Sequence, residues 1–145
     1  MALGKQIGEF SGQPTSFTFA PGPGNTETYQ ANMEGTVSGE RGKGGYASTR
    51  YMVVEPGAKS GTWNELGLAA WKDGASLGFR SQGTWEEISA GKWRYRGTGQ
   101  LSDGSTYAVE FDGDWATRGK VRGEPKKASL GKFSRVYHDP PPSKL

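Results

Sequence analysis

The stretch GTWNELGLAAWKDGASLGFRSQGTW, residues 61–85, carries large aromatic side chains on both sides of a central KDGA. Trp63 and Trp71 share one parity before this tetrapeptide, and Phe79 and Trp85 share one parity after it. A period of two residues is typical of a β-strand with one buried face, and an Asp-Gly pair is typical of a tight hairpin turn. The stretch therefore predicts two antiparallel strands joined by a hairpin.

Alternation of the same kind extends over most of the chain, and the sequence has no apolar spacing of helical period over a useful length. A second Asp-Gly hairpin is predicted at 103–104, and the glycine-rich GERGKGG at 39–45 predicts a mobile loop. The predicted strands cover 5–13, 16–20, 26–37, 46–55, 63–71, 77–85, 93–101, 106–112 and 130–137.

These strands predict an all-β fold with little or no helix, in which one antiparallel sheet closes into a barrel of eight to nine short strands. Full closure removes the open sheet edges that invite aggregation. Residues 1–137 are expected to form this single domain. The Pro-rich residues 138–145 are expected to form an extended tail.

The composition excludes several classes of protein. With no cysteine in 145 residues, neither disulfides nor thiolate chemistry are available. No run approaches ~18 apolar residues, and the N-terminus lacks the layout of a secretory signal. We therefore expect a cytoplasmic protein that does not cross a membrane.

The net charge of +3 gives no clear indication of a nucleic-acid site. Much of the excess lies between residues 120 and 135, but acidic and basic residues otherwise alternate, which is typical of a solvated surface. Arg80, Arg94 and Arg96 have the parity opposite to that of the neighbouring aromatic residues. Stacking surface and charge would then lie on different faces, which argues against nucleic-acid binding.

Glycines of the same parity as the aromatic residues, such as Gly67, Gly83 and Gly99, are predicted to face the interior. Such glycines let strands coil, and then either large neighbours fill the interior or a lined pocket remains. Five tryptophans are more than packing requires in a chain of this size, which favours the pocket. The side chains predicted to line it are Met33, Trp63, Trp71, Phe79, Ser81, Trp85, Trp93, Tyr95, Tyr107 and Phe111.

Three segments resemble the small bacterial barrels related to plant allene oxide cyclases and dirigent proteins. They are EGTVSGERGKGGY at 34–46, the stretch at 61–85, and GTGQLSDGSTYAVEF at 97–111. In these segments glycine-punctuated strands alternate with Asp-Gly hairpins in the same order and at similar spacing. The resemblance implies a closed, calycin-like barrel that forms a homodimer or homotrimer and takes a hydrophobic small molecule into its lumen. Some members of such families guide a cyclisation by shaping the substrate, but no catalytic residue of theirs aligns with this chain.

Several kinds of chemistry are not expected. The only histidine, His138, lies in the Pro-rich tail, so Ser-His catalysis and histidine-based metal centres are disfavoured. FDGDW at 111–115 lacks the ligand-rich loop of a calcium site and is interpreted as a turn. GERGKGG lacks the Lys-Ser/Thr ending of a phosphate-binding loop. We predict neither a metal nor a cofactor.

Glu65 is the candidate catalytic residue, with Arg50 as its partner. Glu65 shares the parity of Trp63 and Trp71, which places a carboxylate in an apolar interior. Burial raises the pKa of a carboxyl group, so an inward glutamate is a candidate general acid or base. Arg50 lies on the preceding strand, and an internal pair would satisfy both charges.

The opposite orientation of these two strands is the alternative. Leu66, Leu68 and Ala70 also alternate, and so do Tyr51 and Val53. If these residues face inward, Glu65 and Arg50 are simply solvated. The larger area of the tryptophans favours the inward carboxylate.

The leading functional hypothesis is a barrel that encloses a hydrophobic small molecule and promotes a cofactor-free cyclisation, isomerisation or elimination. Confinement in a near-attack geometry and one internal acid or base suffice for such a reaction. A carrier or sensor with the same lumen is the second hypothesis. A filled barrel that serves as an oligomeric scaffold is the third, with the leucine face of residues 66–70 buried between subunits.

Overall fold

The computed structural model describes residues 5–114, 120–121 and 136–139, with side chains for residues 8–114. All regular secondary structure in these residues is β-strand. The strands are β1 (Lys5–Pro21), β2 (Glu27–Gly39), β3 (Gly42–Val54), β4 (Ser60–Trp71), β5 (Ser76–Ser89), β6 (Lys92–Leu101), β7 (Thr106–Asp114), β8 (Lys120–Val121) and β9 (Val136–Asp139).

The strands form one antiparallel sheet in which each of the seven long strands pairs with the next along the chain. The short strands β8 and β9 each pair with both β1 and β7. Within the described residues β1 and β7 share no pair of their own, so the seven long strands do not by themselves close into a barrel. The predicted all-β antiparallel class is confirmed. The predicted closed barrel is not formed by the seven long strands.

The two Asp-Gly hairpins are confirmed. Gly74 and Gly104 adopt φ angles of 92° and 90°, which glycine reaches without steric cost. At each turn the aspartate carboxylate accepts a hydrogen bond from the backbone N–H two residues later, at 2.9 Å. These local contacts set the register of β4 with β5 and of β6 with β7.

The predicted mobile loop at 39–45 is wrong. Pairing between β2 and β3 continues to Gly39 and Gly42, which leaves only Glu40 and Arg41 in the turn. Glycines in GERGKGG serve this tight turn, where Gly42 has a φ of 89°. The two strands predicted over 5–20 are instead the single strand β1, with a register shift between Pro14 and Ser16.

The C-terminal prediction is tested only in part. Of the predicted strand at 130–137 the structure describes residues 136–137, which lie in β9 (Val136–Asp139), and of the predicted tail it describes residues 138–139, which lie in the same strand. Residues 130–135 and 140–145 lie outside the described residues. In the part of the chain that the structure covers, no helix is long and apolar enough to cross a membrane.

The inward face of β3 and β4 is the one that carries Arg50 and Glu65. Both side chains are buried, whereas Leu66 and Leu68 are 53% and 54% exposed, so the alternative orientation is wrong. The sheet curls around this inward face, as a contact between side chains of its first and seventh strands shows. The Phe111 ring of β7 lies 5.4 Å from that of Phe10 on β1.

Inward glycines give aromatic rings room to lie flat against the sheet. A β-carbon on Gly99 would overlap the Tyr107 ring of the paired strand, and one on Gly67 would overlap the Phe79 ring. An aromatic side chain that covers a glycine on the next strand is a recognised way to stabilise curved sheets. These glycines therefore bring rings across the interior as well as bending the strands.

Candidate functional site

A cavity of about 310 Å³ opens at the end of the curled sheet where three hairpin turns meet. Lys72 N–H donates to Lys43 O at 3.1 Å, and Ser102 N–H donates to Gly78 O at 2.8 Å, which joins the β4–β5 turn to β3 and the β6–β7 turn to β5. The cavity is lined by Gly8, Glu9, Val37, Ser38, Gly39, Glu40, Arg41, Tyr46, Glu65, Ala69, Trp71, Phe79, Leu101 and Tyr107. Residues 38–41 are exposed and mark its mouth.

The other half of the interior is filled by side chains. Trp85 and Met33 are 1% exposed. The rings of Tyr95 and Phe111 stack with their centroids 4.6 Å apart, and Trp63 packs edge-on against Phe111 at 5.5 Å. A second void here measures only about 30 Å³, which is room for a water molecule and not for a ligand.

Glu65 and Arg50 form a buried ion pair between the two halves. They are directly opposite each other in the β3–β4 register. Arg50 Nε donates to Glu65 Oε1 at 2.7 Å, and the two side chains are 6% and 7% exposed. Ser48 Oγ donates to Glu65 Oε2 at 2.9 Å. Both carboxylate oxygens are therefore held in place, and Glu65 is the deepest cavity-lining residue on β4.

Arg50 lies on the packed side of this pair. Its Cζ atom is 4.8 Å from the Tyr95 ring centroid and 4.6 Å from that of Phe111, so aromatic faces stabilise the guanidinium. Burial lowers the pKa of Arg50, but the Glu65 carboxylate, with Tyr95 and Tyr46, offsets this and leaves the pKa raised. Arg50 lines the small void and is not among the lining residues of the large cavity. Arg50 therefore binds Glu65 on the side that faces away from the large cavity.

Two tyrosines flank Glu65 on the cavity side. The Tyr107 ring crosses Gly99, and its hydroxyl forms a hydrogen bond with Ser81. The Tyr46 hydroxyl is buried against Gly12 and has no hydrogen-bond partner among the described residues. Burial raises the pKa of both phenols, and the nearby Glu65 carboxylate raises it further. Both tyrosines are therefore uncharged at neutral pH.

An ion pair spans the mouth of the cavity. Arg41, in the β2–β3 turn, binds Asp103, in the β6–β7 turn, at 2.8 Å. The Arg41 guanidinium also lies over the Trp71 ring, with its Cζ 5.6 Å from the centroid. Hydrogen bonds from Ser105, followed by the contact with Arg41, lower the pKa of Asp103. The mouth is thus bordered by an ion pair whose guanidinium lies over the Trp71 indole.

The structure divides the predicted site residues among three places. Glu65, Trp71, Phe79 and Tyr107 line the large cavity. Arg50, Trp93 and Tyr95 line the small void. The others lie in or beside the packed half and line neither space: Met33, Trp63, Ser81, Trp85 and Phe111.

Several cavity residues are absent from the predicted set, among them Val37, Tyr46, Ala69 and Leu101. Parity alone could have found all four, since Val37 has the parity of Met33, Tyr46 that of Arg50, Ala69 that of Glu65 and Leu101 that of Tyr95. Parity does not show that these residues line a cavity, however. That depends on whether each inward position lies beside the packed side chains or beyond them along its strand.

Outward-facing arginines on β6 are paired with carboxylates. Arg94 forms two hydrogen bonds with Asp112, at 2.8 and 2.9 Å. Arg96 binds Glu110 at 2.7 Å and Glu86 at 3.2 Å. These pairs form a ladder of opposite charges across the outer face. The Arg96 pairs are exposed, as expected for a solvated surface, whereas the Asp112 side chain is only 11% exposed.

Among residues 5–114 and the two short strands that follow, no group of three or more His, Cys, Asp or Glu side chains could hold a metal ion. The functional interpretation therefore depends on the cavity and on Glu65. Comparison of the chain with protein-family models, with curated proteins and with solved structures finds no match.

Proposed function

We propose that this protein encloses a hydrophobic small molecule in the cavity above Glu65. The observation that carries the proposal is a cavity of about 310 Å³ whose inner wall consists of apolar and aromatic side chains, Tyr46 and Tyr107 among them, and of one carboxylate, that of Glu65. This volume lies at the lower end of the range typical of ligand sites, which combine apolar walls with a few placed polar groups. The resemblance to allene oxide cyclase-like barrels predicts a site of the same kind.

The sheet is proposed to surround the ligand as a barrel. The pairing of β1 with β2 on one edge, and with β8 and β9 on the other, supports this arrangement. The packed half would form its floor, because Trp63, Trp85 and Phe111 leave no space for a ligand there. The ligand would enter past Arg41 and Asp103.

Catalysis is the second part of the proposal, and Glu65 carries it. A carboxylate held by Arg50 and Ser48 and facing an apolar cavity is suited to take up or return a proton on an enclosed molecule. A cofactor-free cyclisation, isomerisation or elimination needs little besides such a group and confinement. Arg50 would act as a positioning residue, since Glu65 lies between it and the cavity.

A pair of substitutions on β4 tests ligand binding. Ala69 is buried and lines the cavity, whereas its neighbour Ala70 is exposed on the outer face. Ala69→Phe should fill the cavity and abolish binding of the uncharged fluorescent probe N-phenyl-1-naphthylamine, while Ala70→Phe should leave binding unchanged. Equal probe binding by both variants and the parent protein would show that the cavity is not the site.

Turnover separates the enzyme from a carrier. Native mass spectrometry of protein purified from its own host should reveal a bound small molecule. If that molecule is converted on incubation with fresh protein, Glu65→Gln should slow the conversion without changing the bound fraction. A ligand that is returned unchanged identifies a carrier, and a Glu65→Gln variant with full turnover removes Glu65 from the chemistry.

Self-association is proposed for the outer face of β4. Leu66 and Leu68 are more than half exposed and adjacent in one row, which is unusual for a surface that faces only water. A homodimer or homotrimer would bury this row. Sedimentation velocity of a Leu66→Ser/Leu68→Ser variant should show a smaller species than the parent; identical sedimentation would exclude this face as the interface.

A further inference from the structure

We propose that the molecule bound in the cavity is uncharged and carries a hydroxyl or N–H group at its inner end, which donates a hydrogen bond to Glu65. This inference rests on the proposed ligand binding and names the class of ligand: a hydrophobic alcohol, phenol or neutral N–H compound. It separates such molecules from fatty acids, from hydrophobic amines and from ketones or ethers of similar size.

The acceptor capacity of Glu65 gives the first reason. An ionised carboxylate has no donor and about four acceptor positions. Arg50 Nε occupies one on Oε1, and Ser48 Oγ occupies one on Oε2. The remaining positions favour a ligand donor. A ligand carbonyl or ether would instead place its lone pairs against those of the carboxylate, and this buried polar contact would be unfavourable.

The charge balance around Glu65 gives the second reason. Arg50 already neutralises Glu65, and both are almost fully buried. A ligand carboxylate would face Glu65 directly and be repelled. A ligand ammonium would become a second cation beside a carboxylate that already has one, so the interior would hold an uncompensated charge. Tyr46 and Tyr107 are uncharged and add nothing to this balance.

The walls above Glu65 set the rest of the ligand. Between the carboxylate and the mouth, the side chains of Ala69, Phe79, Leu101 and Trp71 are apolar or aromatic. The Tyr107 hydroxyl is already bonded to Ser81, and the Tyr46 hydroxyl is buried against Gly12. The described walls therefore present no free polar group to the middle of the ligand, so its body must be hydrophobic. A donor at one end of an apolar skeleton therefore fits both the floor and the walls.

Four probes with one shared skeleton test this class by isothermal titration calorimetry at neutral pH. They are 2-naphthol, 2-methoxynaphthalene, 2-naphthoate and the protonated 2-(aminomethyl)naphthalene. A hydrogen bond to a charged acceptor should make 2-naphthol bind about tenfold or more tightly than 2-methoxynaphthalene. The anion and the cation should bind more weakly than 2-naphthol.

The double variant Arg50→Met/Glu65→Leu isolates the hydrogen bond. Replacing a buried ion pair with apolar residues of similar volume commonly preserves the fold, so the cavity should persist. The variant should lose the preference for 2-naphthol over 2-methoxynaphthalene, because neither probe then meets a charged acceptor. The matched control is Arg96→Met/Glu110→Leu, which removes an outer-face pair with the same 2.7 Å separation and should keep the preference.

The outcomes separate the two proposals. Equal binding of 2-naphthol and 2-methoxynaphthalene by the parent protein would overturn the donor inference and leave ligand binding intact. Tightest binding of the anion or the cation would also overturn it. Retention of the 2-naphthol preference by Arg50→Met/Glu65→Leu would show that the donor lies elsewhere. Failure of every probe to bind the parent protein would count against the cavity as a binding site.

Discussion

The buried pair of Arg50 and Glu65 should show strong coupling in a double-mutant cycle. The perturbations are Arg50→Met, Glu65→Leu and the two together, measured as free energies of unfolding. Each single variant leaves one charge in an interior where the side chains are 6% and 7% exposed. Glu65 would keep only its bond from Ser48, and Arg50 would keep only its aromatic neighbours.

The expected magnitudes follow from this burial. Removing one partner of a buried pair costs about 3–5 kcal/mol, whereas replacing both with apolar residues is near neutral or stabilising. Contacts of Arg50 with Tyr95 and Phe111 are lost in the single Arg50→Met variant and in the double variant alike. They therefore cancel in the cycle, and the coupling energy of the pair, which is the two single losses less the double loss, should be at least about 3 kcal/mol.

Urea unfolding followed by tryptophan fluorescence gives these free energies, provided that unfolding is two-state. The same cycle at Arg96 and Glu110 is the control, because these side chains are 54% and 38% exposed. Coupling there should stay below about 1 kcal/mol. The reasoning is refuted if the buried pair couples no more strongly than the exposed pair, or if the double variant is less stable than both single variants.

Two other predictions concern the tyrosines and glycines of the site. Because burial raises the pKa of Tyr46 above its ordinary value of about 10, the unfolded state loses this proton first, so stability should fall as the pH rises above about 10. Tyr46→Phe should reduce the slope of stability against pH by up to about 1.4 kcal/mol per unit, and an unchanged slope would contradict the burial of this phenol. Gly99→Ala should cost about 1–3 kcal/mol because its β-carbon would overlap the Tyr107 ring. Gly78→Ala, where the nearest atoms are 3.8 Å away, should change thermal stability much less, and equal losses for both variants would show that Gly99 does not accommodate the ring.

Much of the sheet was predictable because its signals are local. The Asp-Gly hairpins at 73–74 and 103–104 depend on one positive φ angle and one aspartate side chain. The inward parity of β4 follows from the larger area of Trp63 compared with Leu66. That Arg50 and Glu65 are buried opposite each other follows from their parity on β3 and β4 and from the register between these two adjacent strands.

Other features depend on contacts that parity does not encode. Trp71 and Trp85 both face inward, yet Trp71 lines the cavity and Trp85 is packed against Gly61 and Trp93. The position of each residue along its strand, towards the cavity or towards the packed half, decides between these outcomes. The turn between β2 and β3 was not predictable either. GERGKGG has the composition of a loop, but its glycines allow the two strands to stay paired as far as a two-residue turn.

The central claim is that the interior is packed on one side of Glu65 and open to a ligand on the other. Fluorine NMR of protein labelled with 5-fluorotryptophan tests it most directly, with Trp71→Phe and Trp85→Phe variants to assign two resonances. Added 2-naphthol should shift the Trp71 resonance, which reports on the cavity mouth, and leave the Trp85 resonance in place. A shift of Trp85 without Trp71, or no shift of either at saturating 2-naphthol, would contradict the claim.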